Sequence, residues 1–187
     1  MSPDEDGGLV VTDTDAGTRG KLAEEILGTL ARRHSTATVL FHHAVADRLG
    51  LGPTDHKCLD LLLERGPMTG SELAAITGLT SGAISGVVAR LEQTGRLGRV
   101  PHPHDGRKQM LSPSPQGIQD VLDVFETVRV DAAPLLEGFD TNQLAAIAQF
   151  LTRATELAYR RAAILRAQKL LPSERASPVE TRDEGST

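Results

Sequence analysis

The sequence predicts a mainly α-helical fold with one small β-hairpin. Apolar residues recur at three- and four-residue steps through most of the chain, the spacing that places them on one face of a helix. One stretch near residue 100 instead has short apolar runs on both sides of a turn-forming segment. With 187 residues and 39% hydrophobic content, the chain can bury a core in one domain plus an extension.

The first quarter of the chain predicts a tail and a long helix. Residues 1–20 are rich in Gly, Asp and Thr and lack apolar periodicity, so we expect a flexible acidic tail. Residues 21–50 are predicted to form one long helix that ends at Gly50. Its apolar stripe consists of Leu22, Ile26, Leu30, Ala37, Phe41, Val45 and Leu49. Gly52 and Pro53 then start a short helix that ends at Gly66.

Two short helices follow, with the signals of a helix-turn-helix. Thr69 and Glu72 predict a capping box at the start of the first helix, and Gly78 ends it. Thr80 can cap the second helix, which should end at Gly95. The face that this second helix should bury consists of Ile84, Val87, Val88 and Leu91.

The hairpin follows directly after these helices. Apolar residues between Leu97 and Leu111 flank a turn-forming stretch at residues 101–106, which predicts two short strands around an exposed loop. A hairpin at this position is a wing. We therefore interpret residues 51–113 as a winged helix-turn-helix.

The last third of the chain predicts two more helices. Ser114 supplies a capping hydroxyl for a helix that continues toward Pro134. Asp140 and Gln143 resemble a second capping box, before a helix that reaches about Leu170. These helices occupy residues 114–171, and residues 172–187 are predicted to form a second flexible tail.

The formal net charge of −5 is unevenly distributed. The two tails together carry nine acidic and three basic residues, whereas residues 80–110 carry five basic and two acidic residues. Positive charge is therefore concentrated at the helix-turn-helix and the hairpin, which is typical of a nucleic-acid-binding protein.

Composition excludes several classes of protein. No run approaches the roughly 18 apolar residues of a membrane span, and the acidic start lacks a signal peptide's basic and apolar regions, so we expect a cytoplasmic protein without membrane contact. A single cysteine, Cys58, excludes an internal disulfide and a zinc site built on several thiolates. No nucleophile elbow, phosphate-binding glycine loop or zinc-peptidase motif occurs, so we expect no enzyme activity, metal or cofactor.

The exposed face of the second helix has the chemistry to meet double-stranded DNA in the major groove. Small residues allow close approach of the backbone, serines can hydrogen-bond base edges or phosphates, and Ala83 can touch a thymine methyl group. Arg90, at the far end, is better placed for a phosphate. The candidate DNA-binding residues are Thr69, Ser71, Thr80, Ser81, Gly82, Ala83, Ser85, Arg90, Arg99, His102, His104, Asp105, Arg107 and Lys108.

These residues resemble the MarR family of bacterial winged-helix regulators. The similarity covers residues 67–76, residues 80–95 and the Asp-x-Arg of the hairpin, Asp105 and Arg107. The resemblance implies that Asp105 orients an arginine and that Arg107 contacts DNA or braces the loop.

The chain departs from the family pattern at three points. Gly106 stands where an arginine is usual, and Pro113 and Ser114 stand where Leu-Thr is common. These two departures predict a less basic wing with a shorter second strand. Arg96 and Leu97 replace an apolar pair, and we expect Arg96 to add a charge at the DNA edge.

The resemblance also implies a homodimeric repressor whose first and last helices interleave across a two-fold axis. Residues 21–50 and 114–171 would then supply dimerisation and linker helices, and the two recognition helices would bind a pseudo-palindromic operator with half-sites about 10 base pairs apart. A small, often aromatic or phenolic, ligand between the dimerisation and winged-helix parts would release the DNA. The candidate ligand-binding residues are Phe41, His42, Val45, His56 and Leu59.

Other hypotheses stay open at this point. Cys58 is a candidate peroxide-sensing thiol if Lys57 or His56 lowers its pKa, although a lone cysteine beside leucines is more often an inert core residue. His102 and His104 are better explained by wing contacts than by a metal. The winged helix could also bind a protein instead of DNA, and then removal of its arginines should have no effect on binding.

Overall fold

The computed structural model describes residues 13–170. Within them a helical N-terminal segment leads into three short helices, a two-stranded hairpin and two further helices. The elements are α1 (Asp13–Glu25), a π-helical turn (Ile26–Leu30), α2 (Ala31–Arg48), α3 (Pro53–Arg65), α4 (Gly70–Thr77), α5 (Ser81–Gln93), β1 (Leu97–His102), β2 (Asp105–Pro113), α6 (Pro115–Ala132), a 3₁₀ turn (Ala133–Leu136) and α7 (Thr141–Leu170). The mainly helical fold with a small β-wing is confirmed.

The predicted N-terminal tail is wrong for residues 13–20, which form the start of α1. The π-helical turn then joins α1 to α2, so one helical segment reaches Arg48. The other tail predictions, for residues 1–12 and 172–187, lie outside the described residues.

The hydrophobic core is centred on α3, α4 and α5. Thr69 and Glu72 form the predicted capping box, because each side chain accepts a hydrogen bond from the other residue's backbone N–H. Thr80 caps α5 by accepting from the amide of Ala83. The largest fully buried apolar side chains are Leu59, Leu62, Leu73, Val87 and Leu91.

Helices α4 and α5 meet at a bend of 114°, within the range expected for a helix-turn-helix. Within residues 13–170 no single helix is long and apolar enough to cross a membrane. Only α4 and α5 taken together, across this bend, have the length and composition for it.

The wing is an antiparallel hairpin held to the core through its second strand. Leu97 pairs with Pro113, the register shifts after Pro101, and Met68 forms a β-bridge with Leu111. The prediction of a short second strand is wrong. Because pairing extends along β1 and Met68 adds a partner on the other side, β2 spans nine residues.

Helices α6 and α7 begin as predicted. Ser114 caps α6 by accepting from the Gly117 amide, and Asp140 and Gln143 form a reciprocal capping box before α7. Much of their apolar surface is exposed. The exposed large hydrophobic residues from α6 to α7 include Ile118, Leu122, Val130, Leu135, Leu136, Phe139, Phe150, Leu151, Leu157, Ile164 and Leu165.

Candidate nucleic-acid interface and adjoining cavity

The recognition face of α5 consists of small exposed residues. The buried stripe from Ile84 to Leu91 holds the helix against the core and directs the opposite face outward. Ser81, Gly82, Ala83 and Ser85 are all exposed, and the Ser85 hydroxyl donates to the Ser81 carbonyl. This part of α5 can therefore fit closely into a DNA groove, because no large side chain projects from it.

Arg90 has a different role from the one that the sequence predicted. Its guanidinium forms a two-pronged ion pair with Asp55 of α3, with Nε 2.7 Å from Oδ2 and Nη2 2.6 Å from Oδ1. Asp55 is buried, whereas the Arg90 side chain stays 57% exposed. This contact joins the recognition helix to α3, and it uses two of the nitrogens that were expected to meet a phosphate.

The wing carries basic side chains on its exposed tip. Arg107 and Lys108 are exposed, and the Lys108 Nζ lies 3.6 Å from the Asp105 carboxylate. Asp105 accepts a hydrogen bond from the backbone amide of Arg107 at 3.1 Å. The implied orientation of an arginine side chain by Asp105 is therefore not observed. Asp105 instead fixes the backbone of the turn, since a short carboxylate can bond an amide two residues ahead.

Other predicted wing residues contact the hairpin or α5. His102 accepts from the backbone amide of His104, which orders the turn between the strands. Arg99 on β1 donates to Glu92 of α5 at 2.7 Å while keeping half of its side chain exposed. The arginine is thus held beside the exposed face of α5, within reach of a ligand on that face.

The start of α4 lies close to the wing. The Thr69 backbone amide and hydroxyl both donate to the Glu72 carboxylate, and these hydrogen bonds hold its pKa below the usual range. The wing side chains of His102 and Lys108 shift the pKa in the same direction. Ser71, on the first turn of α4, is exposed. The start of α4 therefore adjoins the wing at Glu72.

Arg96 is not at the candidate DNA edge, where the sequence predicted an added charge. Its Nε lies 2.7 Å from Asp120 of α6, and its Nη2 donates to the Leu49 carbonyl at the end of α2. The hydrogen bond from Gln116, and then the pair with Arg96, lower the pKa of Asp120. Arg96 therefore connects the wing to α2 and α6, and it adds no charge at the DNA edge.

A cavity of about 550 Å³ lies between the long helices and the helix-turn-helix. Its walls come from α2, α3, the last turn of α4 with the residues that follow it, and α7. Of the predicted ligand-binding residues, His42 and His56 line it, but Phe41, Val45 and Leu59 do not. Val45 and Leu59 are buried in the protein interior, and the Phe41 ring packs on Phe125 of α6.

Two histidines are paired in this cavity wall. The Nδ1 atom of His42 lies 3.3 Å from Nε2 of His56, a hydrogen bond in which either ring can carry the shared proton. Burial lowers the pKa of both imidazoles below the ordinary value. Nδ1 of His56 is buried without a hydrogen-bond partner among the described residues.

Cys58 does not have the surroundings of a redox sensor. It is buried, and burial followed by the nearby Asp55 charge raises its pKa to about 11. A thiol with this pKa is almost entirely protonated at neutral pH, and the thiolate is the reactive form. Neither Lys57 nor His56 lowers the pKa of Cys58, so the condition for a peroxide-sensing thiol is not met.

Three comparisons with known proteins agree with this geometry. The model of the MarR family matches residues 49–108. Over 128 residues the chain is 37% identical to YcgE, an uncharacterized HTH-type transcriptional regulator of Bacillus subtilis, covering 68% of this chain and 83% of YcgE.

Solved structures of low sequence identity share the fold. A MarR family protein from Bacillus stearothermophilus aligns with a TM-score of 0.59 at 22% identity, over 75% of this chain and 96% of that one. The transcriptional regulator Tm0710 of Thermotoga maritima aligns with a TM-score of 0.54 at 21% identity, over 74% and 98% of the two chains.

Proposed function

Because this chain belongs to the MarR family of winged-helix transcriptional regulators, we propose that it is a homodimeric repressor released from a pseudo-palindromic operator by a small ligand. Regulators of this family bind DNA and are not enzymes. The observation that carries the proposal is the exposed small-residue face of α5 beside a basic wing. That combination suits insertion of α5 into a major groove with the wing along the flanking backbone.

The proposed contacts divide into three groups by chemistry. Ser81, Gly82, Ala83 and Ser85 would approach base edges, since they are small and exposed on the first half of α5. The residues of the wing and of the start of α4 would bind phosphates and the minor groove. These residues are Thr69, Ser71, Arg99, His102, His104, Arg107 and Lys108. Thr80 and Asp105 would hold the backbone that presents these groups.

Exposed apolar side chains on the long helices support the homodimer. Leu27 is 70% exposed and Leu165 is 60% exposed. Apolar side chains exposed to this extent are typical of a surface that another molecule covers. A second copy would cover these faces if residues 21–50 and 114–171 form the dimerisation and linker helices, with residues 51–113 as the DNA-binding part. The two α5 helices would then lie about one DNA turn apart.

The cavity supports control by a ligand. It is bounded both by the long helices and by the helix-turn-helix, so an occupant contacts both parts of the chain. Among the described residues its lining contains the basic side chains of Arg166 and of Lys57, which pairs with Asp60, but no aspartate or glutamate. This composition favours a small acid, and binding would release DNA by favouring a different spacing of the recognition helices.

Selection from random duplex DNA, followed by affinity measurements at increasing salt, tests DNA recognition. We expect a two-fold symmetric site and a steep loss of affinity with salt. Arg107→Ala should weaken binding and reduce the salt slope by about one, because one phosphate contact is lost. Arg129→Ala, an exposed arginine of α6, is the matched control. Failure to enrich any site would favour a protein-binding winged helix.

Sedimentation equilibrium tests the homodimer. Leu165→Glu places a charge on the exposed face of α7 and should raise the dimer dissociation constant at least about tenfold. The circular dichroism spectrum should stay helical. A wild-type chain that remains monomeric at micromolar concentration would contradict the proposed assembly.

A further inference from the structure

Helix α7 is tied to the end of the first helix of the helix-turn-helix. Nη1 of Arg166 donates to the carbonyl oxygen of Ala75 at 3.2 Å and to that of Ile76. These carbonyls lie in the last turn of α4, which has no basic residue of its own. A guanidinium there bonds acceptors that helix geometry leaves free and offsets the negative end of the helix dipole.

Gly78 makes room for this contact. It ends α4 with a φ of +75°, a backbone conformation that residues with a side chain rarely adopt. A Cβ atom at this position would lie 2.6 Å from Cδ of Arg166. The end of α4 thus accommodates both the turn toward α5 and the arginine from α7.

A second contact joins α7 to the end of α3. The Tyr159 hydroxyl donates to the Glu64 carboxylate at 2.6 Å, and the Arg65 guanidinium lies 4.1 Å from the centre of the Tyr159 ring. Tyr159 and Arg166 both line the cavity. One wall of the cavity is therefore also the connection between α7 and the helix-turn-helix.

From this arrangement we propose that Arg166 is a latch, which an anionic ligand in the cavity opens by drawing the guanidinium away from the α4 carbonyls. The proposal rests on the proposed function, since it assumes that the cavity binds an effector. Arg166 now bonds neutral acceptors, and no carboxylate of residues 13–170 lines the cavity to compete for it. A carboxylate on the ligand would form a charge-assisted and hence stronger hydrogen bond.

The closed latch is the state that binds DNA best. While Arg166 holds α4, the helix-turn-helix keeps one orientation relative to α7, and α5 moves with α4 through their shared core. A fixed orientation reduces the conformational entropy that is lost when both recognition helices of a dimer engage DNA. An open latch imposes that cost, so the operator affinity falls.

The test compares Arg166→Met with Arg161→Met, an exposed arginine one and a half turns earlier on α7. Amide hydrogen exchange over residues 74–80, measured without DNA, shows whether Arg166 still holds the end of α4. We expect faster exchange in Arg166→Met and not in Arg161→Met. Operator affinity should fall about tenfold in the same variant, a typical coupling between two sites. Arg166→Lys retains the charge but has a shorter side chain, so we expect a smaller effect, and it provides the test if Arg166→Met does not fold.

Benzoate is the probe for the ligand step, and benzamide is its neutral control of the same shape. Benzoate at millimolar concentration should speed exchange over residues 74–80 in the wild-type protein and leave Arg166→Met unchanged. Equal acceleration in both proteins, or none in the wild type, would overturn release by an anion.

The two proposals fail in different ways. Exchange in Arg166→Met that matches the wild type would overturn the latch even if operator binding is found. Absence of any operator for the wild-type protein would overturn the proposed function, while the exchange measurement still decides whether Arg166 holds α4. An unchanged or higher operator affinity in Arg166→Met would overturn the assignment of the closed latch to the DNA-binding state.

Discussion

The winged helix and the long helices bury their leucines to very different extents. Leu91 of α5 is completely buried by α3 and the hairpin, whereas Leu27 and Leu165 leave more than half of their surface in water. Both regions have the same helical periodicity in the sequence. Periodicity therefore predicts a face to be buried but does not show whether the same chain or another one buries it. The core side chains between Leu51 and Val121 are covered by their own chain, whereas the long helices leave much apolar surface exposed.

Removing one leucine from each region should give the largest contrast. Leu91→Ala should lower the free energy of unfolding by about 2–5 kcal/mol, because it opens a cavity in the winged-helix core. Leu151→Ala, on the half-exposed face of α7, should cost less than about 1 kcal/mol and mainly weaken the dimer. Urea unfolding at one protomer concentration, with sedimentation at several, measures both. Equal destabilisation by the two variants would contradict the division into regions.

Two glycines provide the next contrast. A Cβ at Gly117 of α6 would lie 2.3 Å from the carbonyl oxygen of Arg96, so Gly117→Ala must shift α6 from the wing, at a cost of about 1–3 kcal/mol. Gly28, between α1 and α2, has open space around it, and Gly28→Ala should stabilise the chain by up to about 1 kcal/mol. Thermal unfolding of the two variants gives the sign. A neutral Gly117→Ala would mean that α6 is not fixed against β1.

Helix boundaries could be predicted because their causes are local. Thr69 and Glu72, or Asp140 and Gln143, are three residues apart, and that spacing alone brings each side chain to the other's amide. Residues 13–20 of α1 were not predicted as helix because their local signals are weak. Asp15 is a weak helix signal, and α1 has no apolar periodicity strong enough to offset two glycines.

The candidate site was predicted less completely, because its decisive contacts join distant parts of the chain. Arg90 and Asp55 are 35 positions apart, and Arg166 lies 91 positions from Ala75. No spacing rule identifies which carboxylate or carbonyl an arginine will meet. The exposed small residues of α5 were predictable, since they follow from the position of its apolar stripe. Asp55 had one available signal, a carboxylate in the first turn of α3.

The pair of His42 and His56 in the cavity wall predicts that the free energy of unfolding depends on pH. Because burial lowers the pKa of His42 and His56, the unfolded chain takes up protons near pH 6.5 that the folded chain resists. Stability should therefore be full above pH 6.5 and fall as the pH drops through 6.5 toward the lowered values. His56→Asn should reduce that fall, measured by urea unfolding across pH 5–8.

The control for this pH dependence is His34→Asn, which changes an exposed histidine of α2. It should retain the wild-type profile. If His56→Asn and wild type lose stability in parallel on acidification, the histidine pair is not its source.

For two ion pairs of similar geometry we expect the smallest change in stability. One pair lies beside α5 and the other serves as its control in DNA binding. Glu92 holds Arg99 beside α5 at 2.7 Å, and Glu126 holds Arg129 on α6 at 2.6 Å. Both pairs are largely exposed, so Glu92→Gln and Glu126→Gln should each change stability by less than about 1 kcal/mol. Glu92→Gln should nevertheless raise operator affinity a few-fold, because it removes a negative charge near the proposed phosphate contacts and frees Arg99.

Glu126→Gln should leave operator affinity unchanged, since its pair lies away from the candidate DNA-binding surface. Affinity measured at two salt concentrations distinguishes a contact from a general charge effect. If the freed Arg99 binds a phosphate, the slope of log affinity against log salt should steepen by about one counterion in Glu92→Gln. If only the net charge matters, both variants should change alike. Equal gains in the two variants would place Arg99 outside the DNA contact, and the proposed interface would then depend on α5 and the tip of the wing.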